Sequence, residues 1–94
     1  MRRVVITGIG PVSNIGIGVP AFTEGLRRGR SGVSAIASFD ASGFPRRLAG
    51  EVKDFDAADL VRTLDPGDWG RSSLLAAAAA RLAVDDGGLD EETL

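Results

Sequence analysis

Residues 2–18 read RRVVITGIGPVSNIGIG, an apolar run followed by a glycine-rich loop. The run after the arginines is β-branched and does not alternate with polar side chains. This pattern predicts a strand over 3–8 that is buried on both faces, as in a parallel sheet. A glycine loop over 8–18 follows, and Pro20 suits the first turn of a helix predicted over 20–28. Strand, glycine loop and helix in this order indicate an α/β fold.

The rest of the chain carries turn signals and a final alanine-rich helix. Pro45 disfavours a central strand, Asp56 can cap a short helix, and Pro66 prevents that helix from continuing. The predicted elements are a loop over 30–47, a short strand over 48–52, and helices over 57–64 and 70–86.

The predicted core is small for an α/β protein. One stripe of the last helix is formed by Leu75, Ala78 and Leu82, with Ala79 as a further candidate. If the chain is part of a larger fold, Val4 and Ile6 are expected to be core together with Leu75 and Leu82. Two predicted strands do not make a parallel sheet that is covered on both faces. The fold is therefore expected to be incomplete as a sheet on its own. Either another chain supplies the missing strands, or the sequence is a piece of a larger fold.

The composition restricts the chemistry of the chain. Its 94 residues suffice for one small domain and include no cysteine, histidine or tyrosine. A cysteine nucleophile, a serine–histidine pair and imidazole or thiolate metal sites are therefore excluded. The remaining candidates are carboxylates, hydroxyls, arginines and the single Lys53. We assign no catalytic, cofactor-binding or metal-binding residue, and we do not expect a self-contained enzyme.

The charge pattern argues against several partners. The net charge is −2, and no basic stripe is long enough to follow a nucleic-acid backbone. No apolar run approaches the ~20 residues of a membrane span. The apolar stretch after Arg3 reaches Gly8 too soon for a signal peptide, so a cytoplasmic location is expected. Arg27, Arg28 and Arg30 form a basic cluster that could face an acidic partner, although a solvated helix end explains them more simply.

A dinucleotide-binding interpretation of the glycine loop is disfavoured. Ser13 stands where the third glycine of G-x-G-x-x-G belongs, and Pro11 removes a backbone donor. A second match over 16–21 begins eight residues after the predicted strand, too far from it for this motif.

Five segments carry motifs of one known family in the same order: 2–16 (RRVVITGIGPVSNIG), 21–33, 36–40, 49–56 (AGEVKDFD) and 79–89. Together they resemble the N-terminus of β-ketoacyl synthases of the fatty-acid and type II polyketide kind. Asn14 stands where the family usually has proline, and residues 69–72 read WGRS where it usually has MDRF. These departures suit a divergent polyketide enzyme or a chain-length-factor-like relative.

The resemblance implies the N-terminal part of a thiolase-like (condensing-enzyme) fold, which has two similar α/β halves and forms dimers. Such an enzyme condenses an acyl thioester with malonyl-carrier protein, using a cysteine thiolate and two histidines that lie beyond the matching region. The implied partners are the remainder of the ketosynthase and an acyl carrier protein, and no cofactor is implied. This chain is then expected to supply scaffold rather than catalytic groups.

Two classes of function stay open. The chain is either the N-terminal segment of a ketosynthase, or a non-catalytic binding or scaffold module that partners an intact one, as a chain-length factor does. Trp69 is a candidate for lining an acyl channel, and Ser13 and Asn14 for contacting substrate. Packing at a helix entry and turn stabilisation are the simpler interpretations. Lys53 is expected to be an exposed residue that pairs with neighbouring carboxylates.

Overall fold

A computed structural model describes residues 1–60, 65–90 and 92. Two pairs of short strands are each antiparallel, β1 with β2 and β3 with β4. The elements are β1 (Val12–Ser13), β2 (Gly16–Ile17), α1 (Val19–Arg27), β3 (Val33–Ala35), β4 (Leu48–Gly50), α2 (Ala57–Leu60), a 3-10 turn (Pro66–Asp68) and α3 (Arg71–Asp86). None of these helices is long and apolar enough to cross a membrane.

The first eleven residues form no strand, which differs from the strand predicted over 3–8. Val4, Val5 and Ile6 are 94%, 74% and 85% exposed, so Val4 and Ile6 are not part of a core formed by the described residues. The physical reason is the lack of a partner. A strand needs neighbours for its backbone groups, and the strands described elsewhere in 1–60 pair only with one another.

The predicted glycine loop over 8–18 contains a small hairpin, β1–β2, that the sequence did not predict. Its register places Val12 opposite Ile17 and Ser13 opposite Gly16. The Ser13 Oγ donates to the Gly16 carbonyl at 2.9 Å and accepts the Ile15 N–H at 3.2 Å. Ser13 therefore stabilises this turn.

The two longer helices lie close to their predicted positions. α1 runs one residue ahead of the predicted 20–28, with Pro20 in its first turn. Gly29 follows it at φ +64°, a left-handed conformation that glycine adopts without steric cost. α3 begins one residue later than the predicted 70–86 and ends where expected. α2 covers the first part of the predicted 57–64, and residues 61–64 lie outside the described ones.

β3 and β4 form a two-stranded ribbon, with Ser34 opposite Ala49. β3 lies inside the predicted loop over 30–47, and β4 covers the first part of the predicted strand over 48–52. In the connection between the strands, the rings of Phe39 and Phe44 meet edge to face, with centroids 5.9 Å apart.

The core of the described residues is thin. Its buried apolar residues are Ala41, Leu74 and Ala78, whereas Leu75 and Leu82 of the predicted stripe are half-buried. The Cα radius of gyration is 16.0 Å. A compact domain of this length is expected near about 12 Å. The chain is thus more extended than a self-sufficient domain of its size.

Candidate functional site

The most distinctive contact is the backbone of residues 8–10 lying directly on α3. A Cβ built on Gly8 would lie 2.6 Å from the Gly87 nitrogen, and one built on Gly10 would lie 2.5 Å from the Ala83 nitrogen. Ala79 and Ala83 are one helical turn apart on α3 and present small side chains here, beside the Cβ of Leu82. Glycines on one side and alanines on the other therefore allow the two backbones to touch.

A carboxylate fixes this segment at one point. The Ile9 N–H donates to Asp86 Oδ2 at 3.0 Å, across the last turn of α3. In the same turn, Arg81 forms an ion pair with Asp85 at 3.1 Å. Residues 8–10 are thus held against α3 by packing and a hydrogen bond, while the preceding apolar residues extend away from it.

The exposed segment Val4–Ile6 has the properties of a central strand without a sheet. Side chains of successive residues in an extended chain point to opposite faces, and here all three are apolar and exposed. A strand with apolar side chains on both faces requires a covering layer above and below it and strands on both sides. The segment is therefore a surface that needs further polypeptide.

Glu51 connects β4 to the loop that follows β3. Its two carboxylate oxygens accept the N–H groups of Ala37 at 2.8 Å and Ser38 at 3.1 Å. Hydrogen bonding from the Ser38 side chain, and then from the Ala37 amide, lowers the pKa of Glu51, and the charge of Lys53 lowers it further. The ionised carboxylate therefore holds the ribbon and its loop together.

Arg71 fixes the start of α3 to the segment after β4. Its Nη2 donates to the Val52 carbonyl at 2.8 Å, and its guanidinium carbon lies 5.6 Å from the centre of the Phe55 ring. Sequence reasoning missed both Arg71 and Glu51, because their partners are distant in the chain. Trp69, the candidate channel residue, precedes this helix and is 48% exposed.

The structure brings some of the candidate basic and polar residues together: Arg27 and Arg28 lie outside a cavity that is lined by Ser13, Asn14, Arg30 and Lys53. Arg27 and Arg28 both form ion pairs with Glu24, at 3.5 and 2.5 Å. Arg30 forms no ion pair with the described residues. Lys53 donates to the Ser34 hydroxyl at 2.6 Å, rather than to the neighbouring carboxylates that the sequence indicated.

Asn14 lies where the β1–β2 turn meets the β3–β4 ribbon. A Cβ built on Gly32 would lie 2.6 Å from the Asn14 Cγ, and one on Gly50 would lie 3.2 Å from it. Asn14 is therefore packed against the ribbon. Within residues 1–60, 65–90 and 92, no group of three or more acidic, histidine or cysteine residues is arranged to hold a metal ion.

These features define a class of protein segment: a helix packed against a glycine-rich segment, two antiparallel strand pairs, and an exposed apolar segment with the pattern of a central strand. The family is identified by sequence. A family model described as "Beta-ketoacyl synthase, N-terminal domain" matches residues 1–94, and the chain belongs to this family.

Individual relatives agree with this assignment. The chain is 43% identical over 89 residues to 3-oxoacyl-[acyl-carrier-protein] synthase 2 of Coxiella burnetii, matching 95% of this chain and 22% of the relative. It is 44% identical over 92 residues to oxytetracycline polyketide putative beta-ketoacyl synthase 1 of Streptomyces rimosus, matching 97% of this chain and 21% of the relative. The chain thus spans about a fifth of the length of these relatives.

A solved structure confirms the predicted fold class. The ishigamide ketosynthase/chain length factor superposes with a TM-score of 0.92 and 49% sequence identity, covering 99% of this chain and 23% of that one. The chain therefore has the fold of the N-terminal part of a ketosynthase, and the resemblance of its motifs to this family is confirmed.

Proposed function

We propose that the chain is the N-terminal scaffold of a β-ketoacyl synthase, an enzyme that condenses an acyl thioester with malonyl-carrier protein in fatty-acid or polyketide biosynthesis. The observation that carries this proposal is the exposed apolar segment Val4–Ile6, held at its end on α3. Burial of a valine or isoleucine side chain stabilises a protein by about 1.5–3 kcal/mol. Contact with further polypeptide that buries these three side chains is therefore energetically favourable.

The proposed division of labour follows from chemistry. Forming the carbon–carbon bond requires a nucleophile that carries the acyl group and donors that stabilise the developing charge. The chain has neither cysteine nor histidine, so the thiolate and imidazoles of a condensing enzyme must come from other residues. Its contribution is to hold a strand and α3 in the geometry that the remaining sheet needs.

The proposed partners are the remainder of the synthase, an acyl carrier protein and a second subunit of a dimer, in the cytoplasm. Arg30 is the member of the basic cluster best suited to an acidic carrier protein, since Arg27 and Arg28 already pair with Glu24. Arg30→Glu is expected to weaken carrier binding, and Glu24→Gln, which releases two arginines, to strengthen it. Unchanged affinity in both variants would remove this surface from the proposal.

The alternative is a non-catalytic module, or a subunit like a chain-length factor, that partners an intact ketosynthase. The absence of cysteine and histidine from the chain agrees with it. The solved relative is named a ketosynthase/chain length factor, which also supports this alternative.

The first test is the denaturing intact mass of the purified protein that contains this sequence. The chain alone has a mass of 9.7 kDa. A much larger species, or a second co-purifying polypeptide that carries cysteine and histidine, is expected. A single species of the chain's own mass would favour the non-catalytic alternative.

Amide hydrogen exchange then tests directly whether the exposed segment Val4–Ile6 pairs with other strands. In the proposed assembly, the amides of residues 4–7 pair with other strands and exchange slowly. Val5→Asp is expected to prevent assembly. Thr23→Asp, which adds the same charge on the exposed side of α1, is expected to leave assembly intact. Rapid exchange at residues 4–7 in an active synthase would contradict the proposal.

A further inference from the structure

A cavity of about 270 Å³ lies between the β1–β2 hairpin and the β3–β4 ribbon. Its lining is mixed, with Ile15 among charged and polar side chains. This volume holds several water molecules. The side chains that matter for its chemistry are those of Asn14, Arg30, Ser31, Ser34, Lys53 and Asp54.

Two cations reach this cavity from different parts of the chain. Arg30 follows α1, and its guanidinium forms no ion pair or hydrogen bond with the described residues. Lys53 follows β4 and donates to Ser34 Oγ at 2.6 Å, which uses one of its three donors. Both cations therefore have donors left for a ligand.

One carboxylate opposes them. Asp54 lines the same cavity, and its backbone lies at φ +57°. Aspartate and asparagine tolerate this left-handed conformation better than other non-glycine residues. Asp54 forms no ion pair within 4.0 Å with a described residue. The cavity thus carries an excess of one positive charge, with hydroxyl and amide groups around it.

We propose that this cavity binds a small oxyanion, a phosphate group that is either free or part of a larger molecule. Arginine presents several donors in a planar fork that matches phosphate oxygens, and the lysine ammonium and serine hydroxyls add donors from the other side. The two positive charges disfavour a metal ion, and these charged groups favour an anion over a neutral apolar ligand. Both cations are exposed, so binding is weak, with a dissociation constant on the order of 1 mM.

The test uses the species that the intact-mass measurement identifies, whether the chain alone or a larger assembly. Orthophosphate is titrated at constant pH and constant ionic strength, and its binding is followed by phosphorus NMR line broadening. Glycerol 3-phosphate is titrated in parallel. Binding of orthophosphate alone indicates the free ion as ligand, and equal or tighter binding of the ester indicates a phosphate on a larger molecule.

Two variants in the cavity are expected to weaken phosphate binding, and a third is expected to tighten it. Arg30→Gln and Lys53→Gln each remove a charged donor and are expected to weaken binding about tenfold. Asp54→Asn keeps the side-chain shape, suits the left-handed backbone and removes the opposing charge, so it is expected to tighten binding. Arg46→Gln is the control, because it makes the same charge change outside this cavity.

The variants also decide whether the broadening arises at this site. Loss of binding in Arg30→Gln and Lys53→Gln, with a gain in Asp54→Asn and no change in Arg46→Gln, supports the proposal. No broadening in the wild-type protein overturns it. Equal weakening in Arg46→Gln also overturns it, since that result assigns the effect to net charge. The inference uses only residues of this chain, so it stands or falls separately from the proposed scaffold role.

Discussion

Replacing Gly10 with alanine tests the contact between residues 8–10 and α3. The added Cβ would lie 2.5 Å from the Ala83 nitrogen and 3.0 Å from the Leu82 Cβ, and it would also meet the carbonyl oxygen of Ala79. Two of these atoms belong to the helix backbone, which does not move aside as a flexible side chain does. Overpacking of this kind costs about 1–3 kcal/mol, and we expect a value at the upper end.

The assay is urea unfolding of the purified protein, compared with the wild type. With a slope of about 2 kcal/mol/M, a loss of about 3 kcal/mol lowers the midpoint by about 1.5 M. Gly43→Ala is the matched control, because a Cβ there meets no atom within 4 Å. Fewer accessible conformations in its unfolded state make Gly43→Ala neutral or stabilising by up to about 1 kcal/mol. If Gly10→Ala and Gly43→Ala unfold at the same urea concentration, residues 8–10 do not lie on α3 as described.

Other contacts give further predictions. Hydrogen bonds lower the pKa of Glu51 below 4.5 in the folded state, so the ionised carboxylate stabilises the fold. This stabilisation is complete above pH 4.5 and is lost as the pH falls through the lowered pKa. Glu51→Gln is therefore expected to make acid unfolding less steep, and an unchanged acid profile would contradict the role of the carboxylate. Arg71→Lys keeps the charge but loses the planar guanidinium that bonds Val52, and a cost of about 1 kcal/mol in urea unfolding is expected. No change in that free energy would remove Arg71 from the contacts that stabilise α3. Asp86→Ala removes the acceptor of the Ile9 N–H and is expected to speed amide exchange at Ile9. Asp86→Asn keeps an acceptor and is expected to leave this exchange unchanged. Equal exchange rates at Ile9 in the two variants would refute the hydrogen bond.

The helices were predictable because their signals are local. Pro20 in the first turn of α1 and Gly29 after its end fix that helix within a few neighbouring residues. α3 follows from a run of alanines, the residue with the highest helix propensity. In both cases the information needed lies inside the element itself.

The strands were harder to predict because each depends on a distant partner. β3 lies in a stretch predicted to be a loop, and its pairing with β4 is fixed partly by Glu51, which no local pattern indicates. The β1–β2 hairpin has a signal that sequence reasoning used only in part, the Ser13 hydroxyl closing a turn at Gly16. For residues 3–8, the apolar pattern indicated a central strand, but the described residues do not contain the strands to flank it.

The composition limited the chemistry of a candidate site but did not place one. Composition excluded cysteine and histidine chemistry. The cavity between Arg30 and Lys53 was not predictable, since it depends on how the hairpin and the ribbon approach each other around Asn14.

The exposed segment Val4–Ile6 also has a consequence for the timing of folding. The described residues contain no partner strand for this segment, so it stays unpaired until a partner strand elsewhere has been made. Synthesis proceeds at about 5–20 residues per second, so each hundred residues of separation leaves the segment unpaired for about 5–20 s. An apolar strand with free backbone groups is a template for association with other chains during that interval. Cells that make this protein therefore face a period of aggregation risk whose length is set by the distance along the chain to the first partner strand.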